Sequence, residues 1–382
     1  MTTAYPDIAA AQLTRAGAVD VGSNRPLVIW LALCCALVFT MVVVGGITRL
    51  THSGLSITEW QPIVGTLPPL NAADWDDAFA KYRATPEFRD VNHAMTLAEF
   101  KRIFWWEYFH RLLGRAIGFV FLIPYVVFAV RRRIPPGYAW PLAGIFALGG
   151  LQGVIGWLMV ASGLVDDPRV SQFRLTAHLS LAFLIFGAML WTALSLAYQS
   201  SPTARSLARR GPFGLAVAVA IIVFVMVMSG GFVAGIRAGL AYNTFPLMNG
   251  RIVPAEILML DPVWKNFFWN MATVQFDHRL IGWLLAVLVP VLAWRVRRDG
   301  ASRRAVRAST ALLAMVIVQL SLGIATLVNG VPLPLAALHQ AGAVVVFGLI
   351  LAVVHALRQP DARIEHLPNG SRRAMMGNSF SR

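Results

Sequence analysis

Long apolar runs, each closed at both ends by charged or turn-forming residues, dominate the hydropathy pattern. A bilayer core is crossed by about 20 apolar residues in a helix. Runs of that kind fall at 27–46, 111–130, 139–161, 174–198, 212–234, 279–294, 309–329 and 335–357, the sixth being short. The pattern predicts an all-α polytopic membrane protein with eight transmembrane helices. Composition agrees: 57% of the 382 residues are hydrophobic and 13% charged. A soluble protein of this size could not hide so much apolar surface. Residues 1–26 carry Asp7, Arg15, Asp20 and Arg25 and lack an apolar core. They read as neither a cleavable signal nor a mitochondrial presequence, so a bacterial inner membrane is the expected home.

Charge fixes the orientation. The net charge of +15 could suggest nucleic acid, but its distribution argues against that partner. With the N-terminus inside and eight spans following, the inner segments hold a net of about +14 and the outer ones about +1. The runs RRR (131–133) and RVRRDGASRRAVR (295–307) share the inner side. Basic residues concentrate in cytoplasmic loops, so both termini are expected in the cytoplasm. Cys34 and Cys35 are neighbours on one helix, about 100° apart, which suits neither a disulfide nor a thiolate metal site.

The chain also repeats itself. Shifted by 185, GGITRLTHSGL (45–55) falls on GGFVAGIRAGL (230–240), Gly65 on Gly250 and Pro69 on Pro254. HRLLG (110–114) matches HRLIG (278–282), and LQGVIGW (151–157) resembles VQLSLGI (318–324). Polar anchors in one order indicate duplication. Each copy supplies four spans, an even number, so the copies share an orientation. The expected architecture is two parallel four-helix bundles related by a pseudo-two-fold axis along the membrane normal. Their interface is expected to use small residues such as Gly149, Gly153 and Gly156. The division is 1–26, a cytoplasmic tail; 27–205, the first half, with the outer loop 47–107 as a folded lid; 206–358, the second half; and 359–382, a second cytoplasmic tail. The lid ends in EFKRIFWWEYF, whose Trp105 and Trp106 suit the bilayer surface.

Four of eight histidines form a pattern. His110, His178, His278 and His339 stand near the start of spans two, four, six and eight, which all run from outside to inside. At ~1.5 Å per residue the four imidazoles lie within roughly 10 Å of the outer surface, one pair per half. Zinc normally recruits four ligands, whereas haem iron already has four ring nitrogens and needs only axial groups. Two haems, one per half, account for two histidine pairs; histidines bonding across helices are the alternative. Arg111 and Arg279 follow the first histidine of each half and would meet either porphyrin propionates or lipid headgroups. Three residues before His110 stands Glu107, where the second copy has Gln275. A titratable group beside only one pair marks that pair as the reacting centre; the alternative is a salt bridge to Arg111 or Lys101. His52, His93, His355 and His366 read as surface or interfacial.

Taken together, GGITRLTHSGLSITEW, EYFHRLLGRAIG, GLQGVIGWLMVASGL, TAHLSLAF, GGFVAGIRAGLAYNTFPLMNG, QFDHRLIGW and LHQAGA resemble the haem A synthase family over about residues 27–357. The resemblance implies an enzyme that oxidises the C8 methyl of haem O to a formyl group, giving haem A for cytochrome oxidase. It assigns His110 and His178 to the substrate pocket of the first half, with Glu107 catalytic, and His278 and His339 to a resident haem b in the second. It further implies an external electron-transfer protein, and contact with haem O synthase and cytochrome oxidase assembly factors. The outer-loop cysteine pair of some members is missing here, which removes any thiol step. The rival readings are a di-haem b-type electron-transfer protein of quinol-reductase type and, from another class, a transporter built on parallel repeats.

Overall fold

The computed structural model describes residues 24–61, 64–165, 168–198 and 212–358. The two tails up to residue 23 and from residue 359, with His366, and the boundary at 205/206 fall outside them. Helices account for nearly all regular structure there: α1 Arg25–Leu50, α2 Ala72–Arg83, α3 Pro86–Asp90, α4 Leu97–Val130, α5 Ala139–Ala161, α6 Gln172–Ala197, α7 Phe213–Gly235, α8 Asn266–Trp269, α9 Met271–Arg298, α10 Arg303–Val328 and α11 Leu333–Arg358. Eight of them (α1, α4, α5, α6, α7, α9, α10 and α11) are long and apolar enough to cross a membrane.

Two helices outrun their apolar stretches. The segment EFKRIFWWEYF, expected in the loop, is already helical, because α4 starts at Leu97 behind a capping box. Thr96 Oγ1 accepts from the Glu99 amide, and Glu99 in turn accepts from the Thr96 amide at 2.8 Å. These reciprocal bonds satisfy amides that a helix start leaves open. At ~1.5 Å per residue α4 is about 51 Å long, well beyond a core of about 30 Å. The sixth span is likewise not short: Asn270 caps α9 by accepting from the Ala272 and Thr273 amides, and the helix has 28 residues. Hydropathy breaks at Gln275, Asp277, His278 and Arg279; the backbone does not.

The N-terminal turns of α4 carry the folded segment expected as a lid. Between α1 and α4 the chain folds into α2 and α3, capped by Asn71 and Thr85. They close over Trp75, Tyr82, Phe100, Phe104 and Tyr108, all buried together. Lys101 lies 4.9 Å above the Trp75 ring. The loop between α1 and α4 therefore spans 51–96, shorter than the expected 47–107.

Within each half the helices pack in a ring: α1–α4–α5–α6 in the first and α7–α9–α10–α11 in the second. Between halves α6 meets α7, α1 meets α11, and α6 meets α11. Lipid gives no hydrophobic gain for burying leucine on leucine, so close approach and interhelical hydrogen bonds matter more. Gln340 Nε2 donates to the Val42 carbonyl at 2.8 Å, joining α11 to α1. The interfacial glycines include Gly46, facing Gln340; Gly187, facing Phe347 and Leu351; Gly231, facing Thr176; Gly235, facing Gln172; and Gly348, facing Phe186 and Leu190. The expected Gly149 and Gly153 are not among them. Both are exposed on α5, and a Cβ there would meet nothing within 4 Å. Helix α5 stands at the periphery, and its Gly149 and Gly153 face open space. His355, read as surface or interfacial, is fully buried between α6 and α11, with Ser195 Oγ 3.2 Å from its Nε2.

Candidate functional site

His178, His278 and His339 lie six or seven residues inside α6, α9 and α11, and His110 lies thirteen residues inside the longer α4. In each ring the two histidine helices occupy opposite corners, separated by the other two helices. Those other helices supply a glycine seat for every imidazole. A Cβ on Gly45 would stand 3.0 Å from His110 Nε2, one on Gly156 2.8 Å from His178 Cε1, one on Gly230 3.4 Å from His278 Cε1, and one on Gly323 2.8 Å from His339 Cε1. A Cβ would press on the ring at Gly45, Gly156 and Gly323, and at Gly230 would come into van der Waals contact with it. All four histidines are half-buried.

Two glutamines position the second histidine of each pair. Gln152 Nε2 donates to the His178 carbonyl at 3.0 Å, and Gln319 Nε2 to the His339 carbonyl at 2.8 Å. These glutamines, like Gly45, Gly156, Gly230 and Gly323, were missed as functional residues in the sequence. Their signal was present in the repeat, where LQGVIGW and VQLSLGI superpose Gln152 on Gln319 and Gly156 on Gly323. Buried Nδ1 of His178 and of His339 has no hydrogen-bond partner, nor has Oε1 of either glutamine. Buried polar atoms are rarely left so. Among the described residues no group of three or more His, Cys, Asp or Glu side chains is placed to hold an ion. The donor set fits a metal that brings its own equatorial ligands.

Glu107 and the two arginines do different work from the imidazoles. Glu107 is 2% exposed. Its Oε2 accepts from Ser56 Oγ and the Ile57 amide, both at 2.8 Å, and its Oε1 accepts from Arg111 Nη2 at 2.7 Å and Nε at 3.1 Å. Arg111 also donates to the carbonyls of Ile57 at 2.7 Å and Glu59 at 2.9 Å. The salt bridge is thus to Arg111, while Lys101 sits on Trp75. The second half repeats the clamp. Arg279 donates to Gln275 Oε1 and to the carbonyls of Tyr242 and Thr244 at 2.7–2.9 Å; the latter two lie 185 residues after Ile57 and Glu59. Here Gln275 Nε2 donates to the Ala238 carbonyl at 2.7 Å. The first loop presents donors and the second an acceptor, so the Glu/Gln difference also has a local hydrogen-bonding cause. Neither arginine reading from the sequence included this clamp.

The COX15-CtaA family model, described as cytochrome oxidase assembly protein, matches residues 28–351. A protein of Nitrosospira multiformis named heme A synthase is 57% identical over 336 residues, covering 88% of this chain and 94% of its own. Proteins of the same name from Nitrosomonas eutropha and Parvibaculum lavamentivorans are 52% and 49% identical, over 88% and 86% of this chain and 94% and 93% of theirs. The family match takes in all eight membrane-crossing helices, both histidine pairs and both clamps: the chain belongs to the COX15-CtaA family of cytochrome oxidase assembly proteins.

Proposed function

We propose that this protein is a haem A synthase, an oxidoreductase that converts the C8 methyl of haem O to a formyl group. The observation that carries the reading is the duplicated constellation of two imidazoles on opposite corners of a four-helix ring, each seated on a glycine. The relatives' shared name selects the reaction.

The two rings are assigned as halves related by a pseudo-two-fold axis along the membrane normal. In support, His52 and Arg237 occupy equivalent positions 185 residues apart, both have φ near +55°, and they touch, Arg237 Nη2 lying 3.2 Å from His52 Nδ1. Equivalent residues that touch each other lie on the axis that relates them. His110 and His178 are assigned to the substrate haem O, and His278 and His339 to a resident haem b, which supplies a one-electron centre when bound. The fit rests on the unpartnered ring nitrogens and on seats that any larger side chain would fill. Both termini are placed in the cytoplasm of a bacterial inner membrane, following the basic runs at 131–133 and 295–307. An external electron donor, haem O synthase and cytochrome oxidase assembly factors are the proposed partners.

The chain's own groups then divide the work. His110 and His178 orient the substrate from opposite corners. Glu107, one turn before His110, has both oxygens committed to donors. Its role is therefore to present fixed negative charge toward cationic character developing at the methyl, not to release a proton. Arg111 and Arg279 are loop clamps: each ties its half's outer loop over the histidine level and limits access of water. A propionate would have to share guanidinium groups already engaged.

The deciding experiment is pigment extraction after expression with a haem O supply. Haem A and haem b together are expected. Haem b without haem A would leave an electron carrier of the di-haem b type as the better reading.

A further inference from the structure

The two halves differ where their shared plan would make them equal. Gln152 and Gln319, each bonded to its histidine's carbonyl, and Gly156 and Gly323, each seating that histidine, fix the register of α5 on α10. In that register Gly149 stands where α10 has Val316, and Gly153 where it has Leu320. Helical spacing puts positions 149, 153 and 156 on one face, the face that also carries Leu142 and Ile145, both buried. On α10 this face is filled. Val316 is 5% exposed, and Leu320 Cδ2 reaches to 3.7 Å from where a Cβ on Gly282 of α9 would stand. On α5 it is not: Gly149 and Gly153 are exposed, and Cβ atoms there, or on Gly118 of α4, would meet nothing within 4 Å. The Gly156 end of this face meets the ring of His178, whose buried Nδ1, like Gln152 Oε1, has no partner. From Gly156 to Gly149 this face extends about 10 Å along α5.

We infer that Gly149 and Gly153 determine which porphyrin each half accepts: their open face admits the long isoprenoid chain of haem O beside the first histidine pair, and Val316 and Leu320 bar it from the second. The inference rests on the proposed assignment of haem O to the first half and haem b to the second. The chain is apolar, flexible and joined to one edge of the macrocycle, so it needs a trough that starts at the ring and is lined by small groups. Haem b lacks the chain and fits the filled face. Overpacking such a space expels what occupies it, because neighbouring helices do not move apart at low cost.

The test gives the first half the second half's residues. Protein carrying Gly149→Val and Gly153→Leu, expressed with a haem O supply, is purified, and its haems are extracted and quantified per chain. Isoprenoid-bearing haem is expected to fall at least about tenfold, a change typical of overpacking, while haem b stays at the wild-type level and reports an intact second half. Gly150→Ile, on the lateral face, is expected to leave both haems unchanged. Gly149→Ala alone is the milder variant should the double one fail to accumulate, with a smaller loss of the same haem expected. The reciprocal Val316→Gly with Leu320→Gly is expected to let isoprenoid-bearing haem into the second half, seen as its retention in a His110→Ala background. Undiminished isoprenoid-bearing haem in the double variant, or equal loss in Gly150→Ile, would overturn the inference. If His110→Ala and His178→Ala chains with native glycines keep that haem, the underlying assignment of the halves fails instead.

Discussion

Glu107 shows how much of a residue's role depends on its partners. From the sequence it is a carboxylate beside a histidine; in the fold it is also the knot that ties the loop between α1 and α4 to α4. Separating the two roles needs paired substitutions. Glu107→Gln keeps the shape, removes the charge and turns an amide toward the Ile57 N–H. Ser56→Ala removes one of the four donors and keeps the charge. Haem A per chain is expected to fall about a hundredfold in the first, in line with loss of a single electrostatic contributor, and less than about threefold in the second. Equal losses would reduce Glu107 to a clamp. The histidines were legible because imidazole at a helix mouth is conspicuous. Their glycine seats were not legible as seats, and Gly156 was read as a contact between halves, because a glycine in an apolar helix reads the same whether it faces a ring, a neighbouring helix or open space.

At the scale of elements, the seats lead to a symmetric expectation. Gly323→Val would push His339 from its place and cost the resident haem at least about tenfold, whereas Gly156→Val would spare haem b and cost the substrate haem, reflecting the limited room of packed interiors. Extracted haem per chain checks both. The lid offers a different test. Glu87 on α3 is 6% exposed, with Tyr82 Oη at 3.3 Å. Burial, with Glu107 adding to it against Tyr82 and Arg237, pushes its carboxyl from 4.5 up to about 7. A carboxyl that holds its proton more tightly folded than unfolded favours the fold at acid pH. Lid stability is therefore expected to fall as pH rises from 4.5 to about 7 and to level off above. Amide exchange in α2 and α3 should quicken over that window in the native protein and lose the dependence in Glu87→Gln. Hydropathy located all eight membrane helices, yet misjudged the starts of α4 and α9. Those starts are set by Thr96 and Asn270, whose capping bonds a hydropathy window does not weigh.

For the whole molecule, the sequence repeat and the packing point the same way. One ring of contacts recurs in both halves, and the pair at 52 and 237 touches. Burial, and then Arg237 and Arg49 beside it, hold the His52 imidazole below its usual range, so it is neutral at pH 7 and accepts from Arg237. The interface itself was not legible: Gly149 and Gly153 were placed there because small residues favour helix contacts, but only the folded arrangement shows which face of a helix has a neighbour. Orientation is open to direct test. Alkaline phosphatase fused after Arg132 or Gly300 is expected to be inactive, and after Lys81 or Pro254 active, since the enzyme matures only outside the cytoplasm. The reverse pattern would invert the proposed topology and put the histidines at the inner leaflet.

Everything proposed for this chain depends on two porphyrins, each gripped by imidazoles from opposite corners of its ring. The most direct measurement counts haem, and identifies its axial ligands by electron paramagnetic resonance, in purified wild type and in the four single His→Ala proteins. Loss of haem b in His278→Ala and His339→Ala only, with loss of isoprenoid-bearing haem in His110→Ala and His178→Ala only, is the predicted result. Bis-histidine signals that survive all four substitutions would contradict it.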